Sequence, residues 1–327
     1  MCYMGHRRFL PLDYERRLQP ELFDGHIEEE LRLEQLSGSD ILEQVNQFEE
    51  YIFGNSVKER KRAKNWLKKS LFFELPYWGT LMLRHNLDVM HIERNICENM
   101  IGTLLNIKGR TKDNLKSRLD LQQMGIRTKL HPVQHENKWH LAASCCTLSL
   151  DEKNAFCEYF NTLKVPDGFS STIGGCVNLK GRKIFGLKSH DYHVIMEYLL
   201  PYALQGLMKK DVRDVLIDLS NFFKTLCSKV VKVDDIKIIE DEIIRILCRM
   251  EMMFPPSFFD VMVHLLVHLP NEVRISGSVQ YRWMYPFERY LSKLKAYVRN
   301  RAHPEESIAE GYIAPDIFIP LKLSSIK

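Results

Sequence analysis

C-x-x-C spacing is absent from this chain, which excludes a conventional cysteine zinc ribbon. No apolar run approaches the ~20 residues that cross a bilayer, so membrane spanning is not expected. The opening MCYMGHRRFLPLDY lacks the apolar stretch of a secretory signal. An intracellular chain with reduced thiols is therefore expected, and its eight cysteines serve no disulfide framework. G-x-x-x-x-G-K-[ST], G-x-G-x-x-G and G-x-S-x-G are all missing, which removes the commonest nucleotide-binding and serine-hydrolase signatures. Internal repeats and low-complexity tracts are missing as well. A large excess of either charge sign is also missing, the net being +4 over 327 residues.

What is present suits a globular protein, with 45% hydrophobic and 27% charged residues. The charge is unevenly distributed. Residues 26–50 carry Glu28, Glu29, Glu30, Glu34, Asp40, Glu43, Glu49 and Glu50 against Arg32 alone, and Lys58 to Lys69 is then strongly basic. A second basic segment holds Arg289, Lys293, Lys295, Arg299 and Arg301. Each basic cluster is either a solvated helix face or a surface for a polyanion, nucleic acid first.

Residues 1–40 show weak periodicity and read as extended or loop-like, and a short amphipathic helix is expected over Asp40 to Phe53. GTLMLRHNLDVM reads as a strand ending near Asp88, followed by a helix over HIERNICENMIGTLL. Residues 106–185 hold turns and short elements. Helical periodicity dominates afterwards, over Asp191 to Leu204, Asp211 to Val230, Asp234 to Met252, Ser257 to Leu269 and Pro286 to Arg301. The expectation is a mainly α protein with a small mixed region around Asp88.

Two histidine pairs stand out. His264 and His268, in VHLLVHLP, lie one turn apart on one face, and so do His190 and His193 in KSHDYHVIM. Either each imidazole finds its own hydrogen-bond partner, or the four together hold Zn2+, which takes neutral nitrogen ligands in tetrahedral geometry. Asp88, after the expected strand, and Glu288, near the start of the last helix beside basic residues, are candidate carboxylates for the two Mg2+ ions of polynucleotidyl transfer. Nothing in their spacing shows that they meet.

Several long strings resemble the transposases of plant CACTA (En/Spm) DNA elements. They are YMGHRRFLP at 3–11, KSLFFELPYW at 69–78, LRHNLDVMHIERNICENMIGTLLN at 83–106, GLKSHDYHVIM at 186–196, FPPSFFDVMVHLLVHL at 254–269 and YRWMYPFERYLSKLKAYVRNRAHPEESIAEGYI at 281–313. The resemblance implies a truncated remnant of an α/β RNase H-like core over 1–105, an irregular connection over 106–185, a helical transposase-associated domain over 186–313 and a divergent tail over 314–327. It implies Asp88 as the second and Glu288 as the third catalytic acid, with Mg2+ as their cofactor. It also implies Zn2+ held by His190, His193, His264 and His268, by analogy with the V(D)J recombinase catalytic subunit. DNA is the implied partner, with self-association as an option, and nuclear entry would use Lys58 to Lys69. The family's first catalytic aspartate lies ahead of YMGHRRFLP, and this chain has no room for it. A remnant inactive on its own is therefore expected, the alternative being a zinc-stabilised helical module that binds DNA or protein without catalysis.

Overall fold

A computed structural model describes residues 2–33, 36–46, 71–136, 138–166, 168–170 and 173–313. The chain is mainly helical and divides into two compact units, Met1–Tyr281 and Arg282–Lys327. That division falls inside the helical segment expected over 186–313. No helix among the described residues is long and apolar enough to cross a membrane.

The first unit is built around helix α2, Val89–Leu104, preceded by α1, Gly38–Asn46. Ile92, Ile96, Cys97, Met100, Ile101 and Leu104 in α2 are all buried, so this helix buries one broad face. Asp88 caps it, its Oδ1 accepting from the His91 N–H at 3.2 Å. The expected strand before Asp88 does not form. The Leu87 N–H donates to the buried Glu272 carboxylate at 3.0 Å, and this amide is thereby lost to any sheet ladder. Only two short antiparallel hairpins appear among the described residues: β1, Val133–His135, with β2, Lys138–His140; and β3, Val177–Asn178, with β4, Lys183–Ile184. The small mixed region expected around Asp88 is thus helix and irregular turns.

Helices α3, Leu115–Gln123, and α4, Leu150–Thr162, both start from capping boxes, Asn114 with Ser117 and Ser149 with Glu152. Next, α5, Ser189–Val194, runs through a π-helical turn, Ile195–Leu199, into α6, Leu200–Ala203. Pro201 explains the widening, because it has no N–H to return to the Glu197 carbonyl and its ring would clash there. An antiparallel pair follows, α7, Lys210–Leu226, and α8, Val233–Met253. Val215, Leu219, Phe222 and Phe223 of α7 face inward, as do Ile239, Ile243, Leu247 and Met250 of α8, both at helical spacing.

The continuous helix expected over Ser257 to Leu269 is broken. It comprises a 3-10 turn at Pro256–Phe258, then α9, Val261–His264, capped by Asp260, a second 3-10 turn at Leu265–Val267, and α10, Leu269–Ser276. Pro270 is the cause, since it cannot donate to the Leu266 carbonyl.

Residues 2–33 contain 3-10 turns and no α-helix, as their weak periodicity suggested. They are nonetheless anchored. Arg17 is 1% exposed and donates to the carbonyls of Arg7, Leu10, Glu28 and Glu30 at 2.7–3.0 Å. Arg7, also 1% exposed, pairs with Asp24 at 2.7 Å and lies 4.4 Å over the Phe23 ring.

In the second unit, α11, Tyr285–Ala296, is followed by a helical segment over 304–313. Gly311 lies against the Tyr297 ring so closely that a Cβ there would stand 2.7 Å from it. A side chain at Gly311 would force the two segments apart.

Candidate functional site

One group of potential metal ligands forms among the described residues: Glu93, His193, Glu197 and Cys227. Their ligand atoms all lie within 4.8 Å of one another. Four elements supply them. Glu93 comes from α2, His193 from α5, Glu197 from the π turn, and Cys227 ends α7. His193 Nδ1 stands 2.7 Å from Glu93 Oε2 and 3.4 Å from Glu197 Oε1.

Burial controls the electrostatics. Burial raises Glu93 above the usual carboxylate range, although His193 opposes the shift. Burial likewise pushes Glu197 up to about 7. For His193 burial acts downward, but the hydrogen bond and charge of Glu93 outweigh it and hold the imidazole above its ordinary value. The Oε1 atoms of Glu93 and Glu197 are buried without a hydrogen-bond partner. Such an orphan acceptor costs about 1–3 kcal/mol.

The four histidines expected to share an ion are grouped differently. His190 and His193 do share a face, with ring centroids 6.0 Å apart, but His190 is exposed and its Nε2 lies 3.0 Å from the Phe169 carbonyl. His264 and His268 also adjoin, at 5.4 Å. His264 stacks on Tyr3 at 5.2 Å and approaches His6 at 5.8 Å. Burial, with His6 and His268 nearby, drives His264 down to about 4. Of the four, His193 alone belongs to the ligand group. Spacing fixed the partners on each helix but not which neighbour each face would meet.

Asp88 is half-buried and committed to its capping bond. Glu288 is exposed in the first turn of α11, in the second unit. Arg289, Lys293, Lys295, Arg299 and Arg301 are all exposed there too. Lys58 to Lys69 lies outside the described residues, as does the later part of the helix expected over Asp40 to Phe53.

Three members of the group, Glu93, Glu197 and Cys227, escaped the sequence reading. Glu93 had a signal: it falls in register with Met90, Cys97 and Met100 on the apolar stripe of α2, where an acid needs a partner. Glu197 lies four residues beyond His193 and carried a similar hint. A separate thiol pair, Cys145 and Cys146, has its Sγ atoms 3.8 Å apart. The Cys146 thiol, assisted by Arg127, brings Cys145 down to about 6.

Comparison with known families gives two matches. Residues 1–48 match the model described as Transposase family tnp2, and residues 226–321 match one described as a domain of unknown function, DUF4218. Together they support a transposase-derived chain. No curated protein and no solved structure matches.

The two matched segments meet within the first unit. The Tyr3 N–H donates to the Phe259 carbonyl at 2.7 Å, and His6 Nδ1 lies 2.5 Å from Glu251 Oε1, with both side chains 1% exposed.

Proposed function

We propose that this chain derives from a cut-and-paste transposase of the plant CACTA (En/Spm) type and that, as it stands, it binds DNA without cutting it. The tnp2 match over residues 1–48 carries the derivation, and the strings quoted above extend it along the chain. Loss of cleavage is favoured by the engagement of the two acids. Asp88 Oδ1 is taken up as a helix cap, and among the described residues neither acid belongs to a group of three or more potential metal ligands. Nuclear residence and self-association would follow from the ancestry.

DNA contact is assigned to the second unit, where five cations and one carboxylate occupy Phe287 to Arg301. Phosphate neutralisation makes binding fall with salt, at a slope of about −0.9 per contact. In fluorescence anisotropy with a labelled duplex, Lys293→Ala/Lys295→Ala is expected to flatten the log K against log salt slope by about 2. An unchanged slope, or no binding by wild type at low salt, would remove the DNA-binding role.

The second reading is a zinc-stabilised module without catalysis. The observation that favours it is the ligand group on α2, α5 and α7, although the expected histidine tetrad shares only His193 with that group.

A further inference from the structure

We propose that Glu93, His193, Glu197 and Cys227 form a structural site for one divalent transition-metal ion, Zn2+ foremost, which ties α2, α5 and the end of α7 together. The inference goes beyond the DNA-binding reading and holds whether or not the second unit touches DNA.

Geometry is the first support. A tetrahedral ion with bonds of about 2.0–2.3 Å sets its ligands roughly 3.3–3.8 Å apart. Here all four ligand atoms lie within 4.8 Å of one another, with 2.7 and 3.4 Å between His193 Nδ1 and the two carboxylates. Closing around an ion takes only small side-chain adjustments, because each donor sits on a different, well-packed helical element.

Unpartnered atoms are the second, independent support. Glu93 and Glu197 are 1% and 5% exposed, and the Oε1 of each lacks a hydrogen-bond partner, that of Glu197 lying within the cluster 3.4 Å from His193 Nδ1. Two carboxylates buried beside each other repel when both are ionised, and His193 is one imidazole for the two. A dication satisfies both oxygens and relieves their mutual repulsion.

The donor set selects the ion. Thiolate, imidazole and carboxylate together suit Zn2+, whereas Mg2+ and Ca2+ prefer oxygen ligands alone. Four protein ligands close the coordination sphere, leaving no position for substrate, which makes the role structural. The π turn belongs to this design. Glu197 sits within it, four residues after His193, and the ligand atoms of both lie within 4.8 Å of that of Glu93.

Cobalt provides the test. Titrating Co2+ into the metal-stripped full-length chain is expected to give tetrahedral d–d absorption and a thiolate-to-cobalt charge-transfer band, saturating at one equivalent that Zn2+ displaces. Cys227→Ser should abolish the charge-transfer band, and the nearly isosteric Glu197→Gln should weaken Zn2+ at least about tenfold. Circular dichroism checks that each variant folds. His264→Ala/His268→Ala should keep both the band and the stoichiometry. Absence of the band in folded wild type would overturn the site. So would zinc that survives Cys227→Ser and Glu197→Gln but is lost with His264 and His268, which would restore the histidine tetrad in its place.

Discussion

Glu251→Ala is expected to lower the unfolding free energy by about 3–5 kcal/mol in urea, because it leaves a buried imidazole without its partner. His6 and Glu251 are each 1% exposed, and the carboxylate accepts from both the ring and the backbone of His6. Arg127 also holds this end of α8, donating to the carbonyls of Glu251 and Phe254. Removing the acid therefore loosens the point where the tnp2-like segment meets the DUF4218-like one. His6→Ala should cost a comparable amount alone, and the double variant should lose less than the sum of the two. A coupling of roughly 1–3 kcal/mol is the expected signature of direct contact. Fully additive losses would mean that His6 and Glu251 do not interact directly.

Arg17→Met is expected to be nearly as damaging, with Tm lower by about 10 °C. Methionine preserves most of the volume but donates nothing to the four carbonyls that Arg17 now serves. Charged hydrogen bonds contribute about 1.5–3 kcal/mol each, and recovery of water by some of these carbonyls brings the total loss to about 3–5 kcal/mol. Arg17→Lys should restore little, since a single ammonium cannot span a forked set of acceptors. Amide exchange would show the effect concentrated in residues 3–30, a segment without α-helix or sheet ladder to hold it otherwise. Uniform acceleration across α7 and α8, with residues 3–30 unaffected, would contradict the anchoring role.

The long periodic segments were legible from sequence because their apolar faces repeat over several turns. Val215, Leu219, Phe222 and Leu226 mark α7, and Ile236, Ile239, Ile243 and Leu247 mark α8. Asp88 was misread because LMLRHNLDV alternates loosely enough to suggest a strand, while the rival for its amides, Glu272, lies far away in sequence. The break at Leu265 was visible in Pro270, whose missing N–H acts four residues back. The histidine spacings gave correct local pairs. The partners of His193 are Glu197, inside the π turn and four residues on, which helical spacing can report, and Glu93 on α2, which no periodicity of α5 pairs with it. Glu93 was the readable exception, an acid on an otherwise apolar stripe.

Supercoiled plasmid incubated with the purified chain and Mg2+ or Mn2+ tests the loss of cleavage most directly. Wild type and Glu288→Gln are both expected to leave the plasmid supercoiled at protein concentrations that saturate binding. Nicking by wild type that Glu288→Gln abolishes would contradict the proposal.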